Sequence, residues 1–394
     1  MPVASAAQKL ILIVDDTPTN IGVISGALKN SYQTKIATNG QKALALASGE
    51  DKPDLILLDV MMPEMDGYEV CSRLKANPAT REIPIIFLTS QTSADDETRG
   101  FEVGAVDYVH KPFSPAVVRA RVRSHILLRE ARAQLAEQLL ALNTELEMAR
   151  RIQLSILPHQ LPKLDGLDIA VRFHPMASVG GDFYDFINID DKHLGILLAD
   201  VSGHGLPSAL IASMLQVALT AQVDHASEPS KVLAGLNKAL CGKFTENFVT
   251  AAYIYLDMDN QLVRYAGAGH PPVVRCLGSN CKAGTILENG IVLGMVDEAR
   301  YEALELPLGS GDRYVLYTDG IVEAANPNAE LYGTDRLMRL VEEKYSLNTR
   351  QVADAILDEV TGWIGPSSTP VQQDDMTLLL FDFRVPDHAA NQTR

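Results

Sequence analysis

The stretch that most constrains this chain is residues 114–157, which contain no glycine and a single proline, Pro115. Ser114 can cap a helix and Pro115 suits its first turn, whereas Pro158 ends it. Apolar residues recur here at alternating spacings of four and three, which is the pattern of a coiled coil. The stretch therefore predicts one helix roughly 65 Å long. We favour pairing with a second copy over an amphipathic helix that lies on its own domain.

The apolar stripe on this helix is named the dimer seam. Its members are Leu128, Leu135, Leu139, Leu142, Leu146 and Ala149. Arg132 and Gln153 fall on the same face and interrupt the stripe at its two ends, so about three heptads are regular. We expect a homodimer held by this helix, which would pass a signal between the segments on either side of it.

Composition limits the classes of function. A chain of 394 residues, 46% hydrophobic and 21% charged, is long enough for two or three globular domains. A net charge of −16 argues against partners such as nucleic acid or anionic membranes and suits a protein that holds cations. The most apolar helix-like run, residues 208–223, is interrupted by polar residues and is too short to span a membrane.

Two further features bear on the compartment. The start of the chain lacks the order of charged and apolar residues found in a signal peptide, so we expect a cytoplasmic protein without membrane insertion. The four cysteines contain no CxxC pair, so they indicate neither a zinc knuckle nor a disulfide framework. They are Cys71, Cys241, Cys276 and Cys281.

Short apolar runs alternate with helical patterns in residues 10–113. The predicted strands are residues 10–14, 34–37, 55–58, 85–88 and 107–109, and the predicted helices begin near Thr19, Gln41, Gly67 and Asp95. Alternation of this kind predicts an α/β domain with a doubly wound, five-stranded parallel sheet.

Polar residues follow the strands of this sheet, at the edge where such folds bind ligands. They are Asp15, Asp16, Asp59, Thr89 and Lys111. Three carboxylates at one edge repel one another unless a hard cation such as Mg²⁺ lies between them. An aspartate beside that ion can attack a phosphoryl group, while the metal and a lysine stabilise the phosphoryl oxygens.

These residues stand in motifs that resemble the receiver domain of two-component response regulators. The motifs are VDD at residues 14–16, LLDVMMPEMDGYE at residues 57–69, FLTS at residues 87–90 and YVHKPF at residues 108–113. The resemblance implies that Asp59 accepts a phosphoryl group from a histidine kinase. It also implies an Mg²⁺ held by Asp15, Asp16, Asp59 and the carbonyl of Met61.

The same resemblance gives roles to three further residues. Lys111 would form a salt bridge with the phosphoryl oxygens, and its peptide bond to Pro112 would be cis. Thr89 and Tyr108 would be the switch pair, in which the ring moves inward when the hydroxyl follows the phosphate.

Alternating strands and paired helices replace this pattern in residues 161–384. The predicted strands include residues 168–173, 183–189, 194–201, 249–256 and 313–317, and the predicted helices are residues 207–222, 229–240, 335–345 and 350–363. Such a pattern predicts an α+β domain in which two sheets are sandwiched by helices, an αββα arrangement.

Four acidic motifs stand in glycine-bearing turns or at strand ends of this segment. They are GGD at residues 180–182, DVSGHG at residues 200–205, TDG at residues 318–320 and QDDMT at residues 373–377. A single Asp–Gly is usually a β-turn, and for the TDG motif alone that reading is preferred. All four together favour oxygen-ligated Mg²⁺ or Mn²⁺, and two such ions can activate a water for attack on a phosphate.

The order of these motifs resembles the SpoIIE/RsbU class of metal-dependent protein serine phosphatases, which are bacterial relatives of protein phosphatase 2C. AGHPP at residues 268–272 and the helix end at residues 149–158 also match. The resemblance implies two Mn²⁺ or Mg²⁺ ions. Their predicted ligands are Asp200 bridging both, the carbonyl of Val201, Asp319, one of Asp374 and Asp375, and Asp182 through water.

Three of these assignments have alternatives. Asp374 is favoured over Asp375, because many eukaryotic relatives have asparagine at the latter position. His204 and His270 are candidates for the phosphatase site, but a histidine between glycines is more often structural.

The sequence thus predicts a receiver domain at residues 10–113, a coiled-coil helix at residues 114–158 and a phosphatase domain at residues 161–384. The resemblance implies a phosphorylated STAS-type anti-anti-sigma protein as substrate. One alternative is a catalytically silent adaptor regulated by phosphorylation. Another is a nucleotide cyclase, because residues 180–182 resemble the start of a GGDEF turn. Phe183 stands where that motif needs an acidic residue, so the cyclase is disfavoured.

Overall fold

The computed structural model of the chain describes residues 8–90, 94–244, 246–278, 281–365 and 374–385. The chain divides into two compact units, Met1–Ala141 and Leu142–Arg394. The division falls within one long helix. No helix in the described part of the chain combines the length and the apolar character that crossing a membrane requires.

The first unit is built on a five-stranded parallel sheet with strand order β2-β1-β3-β4-β5. The strands are β1 (Leu10–Val14), β2 (Gln33–Ala37), β3 (Leu55–Asp59), β4 (Ile85–Thr89) and β5 (Asp107–His110). Four helices connect them: α1 (Pro18–Leu28), α2 (Gly40–Ala47), α3 (Gly67–Ala76) and α4 (Ala94–Glu102). Strands β3 and β4 are buried along their whole length, because apolar clusters cover both faces of the sheet. The predicted α/β fold is confirmed.

A single helix of 42 residues, α5 (Pro115–Ile156), follows the sheet. Val118, Val122 and Ile126, on its first turns, are buried in the core of the first unit. Four leucines of the dimer seam are exposed, whereas Leu146 and Ala149 are half-buried. The exposed four are Leu128, Leu135, Leu139 and Leu142. The predicted long helix is thus present, and pairing through its seam stays a prediction.

The second unit contains two sheets whose strands are almost all antiparallel. The first has the order β13-β10-β9-β8-β7 with β14 also paired to β10, and the second has the order β12-β11-β15-β16-β6. The strands are β6 (Leu167–His174), β7 (Phe183–Asn188), β8 (His193–Val201), β9 (Val249–Asp257), β10 (Leu262–Ala268), β11 (Val273–Cys276), β12 (Ala283–Ile286), β13 (Asn289–Gly290), β14 (Leu304–Pro307), β15 (Arg313–Tyr317) and β16 (Met376–Phe383).

Helices cover both outer faces of these sheets. α6 (Leu206–Thr220) and α7 (Pro229–Leu240) pack on the first sheet, and α9 (Thr334–Glu343) and α10 (Thr349–Ile364) pack on the second, while α8 (Asp319–Val322) is a single turn. One apolar cluster joins side chains of both sheets, including Tyr253 and Phe381, so the main core lies between them. The predicted αββα sandwich is confirmed.

Two of the four cysteines lie close together where the chain turns from β11 to β12. Because these strands are antiparallel, the chain reverses direction there and brings the Cα atoms of Cys276 and Cys281 to 5.0 Å, within the range that a disulfide can span. Their separation of five residues is not a CxxC pair, so the sequence did not indicate this proximity.

Candidate functional site

The first acidic site lies where β1 and β3 end. Single carboxylate oxygens of Asp15, Asp16 and Asp59 all lie within 4.8 Å of one another. Asp15 and Asp59 are buried, whereas Asp16 is exposed. The Lys111 Nζ lies 2.7 Å from Asp59 Oδ2 and 3.0 Å from Asp15 Oδ2. The structure therefore brings the three predicted acids and the predicted lysine together.

Charge in this site is balanced only in part. Burial raises the pKa of Asp59 and outweighs the opposing hydrogen bond from Lys111, and the charge of Asp15 raises it further. Burial lowers the pKa of Lys111, but its hydrogen bonds with Asp59 and Asp15 outweigh this and raise it. Three carboxylates face one ammonium group, so the site fits a divalent cation.

The other predicted receiver residues lie near the ends of β3, β4 and β5. The Met61 N–H donates to Asp59 Oδ1 at 3.3 Å, and the Met61 side chain is exposed. Thr89 is buried at the end of β4, and the Tyr108 ring is 4.9 Å from the ring of Phe101. The Lys111–Pro112 peptide bond is cis, as predicted.

Sequence reasoning missed one residue of this site, Asn20. Its side-chain amide donates to both oxygens of Asp15, at 3.1 and 3.0 Å, and so orients that carboxylate. Asn20 lies on α1, where Asn is otherwise an ordinary solvent-facing residue. Its only signal in the sequence was its distance of five positions from Asp15.

The second acidic site contains Asp182, a buried residue directly before β7. Its Oδ2 accepts hydrogen bonds from Thr318 Oγ1 at 2.8 Å and from Thr377 Oγ1 at 2.5 Å. Burial and then the charge of Asp200 raise the pKa of Asp182 well above its usual value. Its Oδ1 is buried and has no hydrogen-bond partner in the described part of the chain. The two threonines lie in the predicted motifs, but no role was predicted for them.

Asp200, Asp319 and Asp374 share the same electrostatic environment. Burial and then the charges of Asp319 and Asp374 raise the pKa of Asp200 to about 7. Burial and then the charge of Asp374 raise the pKa of Asp319 to about 6. The Oδ1 of Asp319 is buried, and no described residue hydrogen-bonds to it. Burial also raises the pKa of Asp374.

Asp375 makes different contacts from its neighbour. Its side chain is buried and accepts hydrogen bonds from the backbone N–H groups of Met176, at 2.7 Å, and Gly181, at 2.5 Å. A Cβ at Gly320 would lie 2.0 Å from the Asp375 carbonyl oxygen, so this approach requires glycine. Backbone donors therefore occupy the Asp375 carboxylate, whereas Asp374 interacts with Asp319 and His204.

The other predicted residues of this site differ in their surroundings. The carbonyl of Val201 packs against the Gly181 backbone, where a Cβ would lie 2.6 Å from it. His204 is exposed and close enough to Asp374 to lower its pKa. His270 is buried beside Thr250 Oγ1, at 2.9 Å, and burial lowers its pKa to about 3. Because the His270 ring is buried and hydrogen-bonds with Thr250, we interpret His270 as structural.

The donor set of the second site fits hard divalent cations. Within the described ranges, two buried carboxylate oxygens lack hydrogen-bond partners, and burying such atoms is costly unless a proton or a ligand satisfies them. No three of these carboxylates approach as closely as the receiver trio does among the described residues. This wider spacing suits ions that are completed by water. An open cavity of about 270 Å³, lined in part by Asp374 and Glu323, lies beside them.

Metal removal should make the stability of the protein fall as pH rises. In EDTA, folded Asp200, with a pKa of about 7, keeps a proton that the unfolded chain has released, so its contribution is lost between about pH 4 and pH 7. We expect Asp200→Asn to raise the Tm in EDTA at about pH 8 and to change it little at about pH 5. Thermal denaturation at both pH values measures this, and an equal Tm shift at both would contradict it.

Comparisons with known proteins agree with this geometry. Residues 190–384 match the family model of Stage II sporulation protein E, SpoIIE, and residues 11–123 match the response regulator receiver domain. The chain therefore combines a response regulator receiver domain with a SpoIIE-family domain of the protein phosphatase 2C type.

Individual relatives match separate parts of the chain. Phosphoserine phosphatase RsbU of Bacillus subtilis (strain 168) is 30% identical over 220 residues, which are 56% of this chain and 65% of RsbU. A probable cyclic di-GMP phosphodiesterase of Vibrio cholerae is 44% identical over 145 residues, which are 37% of this chain and 33% of that protein. The chain thus spans a third to about two thirds of these relatives.

A solved structure supports the fold of the second unit. The SiaA-PP2C domain of Pseudomonas aeruginosa superposes with a TM-score of 0.57 at 23% identity, over 63% of this chain and 99% of that domain. At this identity the likeness concerns the fold alone.

Proposed function

We propose that the protein is a response regulator whose output is a metal-dependent protein serine/threonine phosphatase. One observation supports this most strongly. On a fold of the protein phosphatase 2C type, Asp182, Asp200, Asp319 and Asp374 form one electrostatically coupled cluster, and two of its buried oxygens have no hydrogen-bond partner among the residues that the structure describes. Carboxylates in this arrangement are suited to hold cations and are poorly suited to stay together without them.

We assign each residue a role toward two Mn²⁺ or Mg²⁺ ions. Asp200 would bridge both ions, with the Val201 carbonyl, Asp319 and Asp374 as further ligands and Asp182 acting through water. When bound, the ions supply Lewis acidity and an activated water for hydrolysis of a phosphate ester. Asp375 is proposed to hold the loop before Asp182 rather than to bind metal, because its carboxylate already accepts two backbone N–H groups.

The proposed input is phosphorylation of Asp59 by a histidine kinase in the cytoplasm, with Mg²⁺ held by Asp15, Asp16, Asp59 and the Met61 carbonyl. Lys111 already contacts Asp59 and would neutralise the added phosphoryl charge. Thr89 and Tyr108 would then rearrange as the switch pair. The proposed substrate is a phosphorylated STAS-type anti-anti-sigma protein, from the resemblance to the RsbU class.

Phosphate release from a phosphoserine peptide tests the catalytic proposal. We expect release that requires Mn²⁺ or Mg²⁺ and stops in EDTA. Failure of the full-length protein to release phosphate at any metal concentration would instead favour the adaptor, in which the fold binds a partner without catalysis. Turnover of GTP would favour the cyclase.

The exposed dimer seam supports a dimeric form. A stripe of four leucines, each about half exposed, is costly to leave in water unless a second helix covers it. We propose a parallel or antiparallel pair of α5 helices, through which the receiver changes the phosphatase site.

Replacing Leu139 and Leu142 together by glutamate should convert a dimer into a monomer, because charges would lie in the seam. Sedimentation equilibrium measures the change. Leu140→Glu is the matched control, since Leu140 is exposed on α5 but lies outside the seam. A parent protein that sediments as a monomer, with and without beryllofluoride, would contradict the dimer.

A further inference from the structure

The open cavity beside the second acidic site has an apolar wall. Five of the described residues that line it are apolar: Ala324, Ala325, Leu331, Ile364 and Met376. Its volume of about 270 Å³ equals that of about nine water molecules. A space of this size is too small for a second helix, but it admits one side chain.

Hydrogen bonds hold one side of this wall in place. Ala325 and Leu331 face each other in an antiparallel bridge, and the Asn326 N–H donates to the Glu330 carbonyl at 3.0 Å. The Trp363 Nε1 also donates to the Glu330 carbonyl, at 3.1 Å, which ties this turn to the end of α10. The cavity is therefore largely pre-formed, as ligand sites usually are.

Leu331 is exposed although it lies on this fixed turn. It is 56% exposed, whereas Ala324 and Met376, which also line the cavity, are each 6% exposed. A single exposed leucine needs no explanation by itself, but this one borders a cavity whose deeper part is apolar and buried. An apolar side chain that entered the cavity would cover Leu331 and gain hydrophobic free energy.

The cavity shares residues with the second acidic site. Asp374, a proposed metal ligand, lines it, and so does Gly320, which directly follows Asp319. A phosphoprotein whose phosphate lies at the ions would therefore have its neighbouring residues next to this cavity. Since an extended chain advances about 3.5 Å per residue, the residues that can reach the cavity are the first few on either side of the phosphoserine.

We propose that this cavity is a specificity pocket, which takes one apolar side chain of the protein substrate from within about three residues of its phosphoserine. The inference rests on the proposed function, because it concerns the substrate of that site. A basic side chain fits less well. Asp374 is assigned to metal, and Glu323, the other acid at the cavity, is exposed to water, where an ion pair contributes little.

The test measures kcat/KM of the full-length protein with Mn²⁺ for a set of phosphoserine peptides. Alanine surrounds the phosphoserine, except that one position, from three residues before it to three residues after it, holds leucine or lysine. Leu331→Ala removes the exposed part of the wall. Leu287→Ala is the matched control, because Leu287 is also exposed in the second unit and is not among the residues that line the cavity. Since both leucines are exposed, neither substitution should disturb folding.

We expect leucine at one of these positions to raise kcat/KM of the parent about tenfold over the all-alanine peptide, which is a typical gain for burying an aliphatic side chain. Leu331→Ala should reduce this preference to about threefold or less, and Leu287→Ala should keep it at about tenfold. A loss in Leu331→Ala that is equal for the leucine and alanine peptides would indicate a purely structural role and would overturn the inference.

Two results with the parent protein separate this inference from the proposed function. Hydrolysis of all the peptides at one rate, or a preference for lysine over leucine, would overturn the apolar pocket and leave the phosphatase intact. If the parent hydrolyses none of the peptides, the proposed function fails and the inference fails with it.

Discussion

Replacing Asp200 by asparagine is expected to lower Mn²⁺-dependent phosphate release by about 10³-fold. A neutral amide is a poor bridging ligand for metal ions. Loss of several kcal/mol of charge stabilisation in the transition state corresponds to a rate decrease of this size. The charge of Asp200 raises the pKa of Asp182, and the charges of Asp319 and Asp374 raise the pKa of Asp200. It therefore lies at the electrostatic centre of the site. Single-turnover release from a phosphoserine peptide measures the effect.

Two comparisons separate loss of metal binding from loss of folding. Asp191→Asn makes the same chemical change at an exposed position between β7 and β8, and it should retain parental activity. Asp200→Asn should keep a Tm in EDTA at least equal to that of the parent at about pH 8, since it removes a buried charge from an acidic cluster. An active Asp200→Asn protein would remove Asp200 from the proposed mechanism.

Replacing Asp59 by asparagine should abolish uptake of a phosphoryl group from a small donor such as acetyl phosphate. The carboxylate of Asp59 lies beside Asp15, Asp16 and Lys111, and an amide at this place offers no nucleophilic oxygen of comparable strength. Phosphate-affinity electrophoresis should show a shifted band for the parent and none for the variant.

The control for Asp59 is Asp51→Asn, a substitution of an exposed aspartate in the same unit. It should give the same shifted band as the parent. A shifted band of parental intensity in Asp59→Asn would show that another residue accepts the phosphoryl group, and the assignment of Asp59 would then be withdrawn.

The fold could be predicted from the sequence because the apolar residues that form its cores recur at the spacings of strands and helices. The apolar runs that end at Asp15 and Asp59 are buried strands, and their parallel pairing brings both aspartates to one edge. The sandwich of the second unit was also predictable, since its strands alternate and its helices come in pairs. Short strands such as β13 and β14 were missed because two to four residues give too little periodicity.

Details of the sites depend on contacts between distant parts of the chain, which a local pattern does not contain. Asp374 and Asp375 are adjacent in sequence, but their environments differ. The backbone N–H groups of Met176 and Gly181, far away in the sequence, donate hydrogen bonds to the carboxylate of Asp375. Gln153 was predicted to interrupt the seam and to belong to the helix end that matches the phosphatase class, but nothing near it in the sequence indicates Gly180 as its partner. His270 stood in the AGHPP motif that matches the phosphatase class, and its burial in the structure indicates a structural role.

Control of the phosphatase by the receiver can be measured in a single experiment. Phosphate release from a phosphorylated STAS protein is followed with Mn²⁺, with and without beryllofluoride on the receiver, for the parent and for Asp59→Asn. We expect Mn²⁺-dependent release whose rate changes with beryllofluoride in the parent and stays constant in the variant. Release at one rate under both conditions in the parent, or no release at all, would show that the receiver does not control this activity.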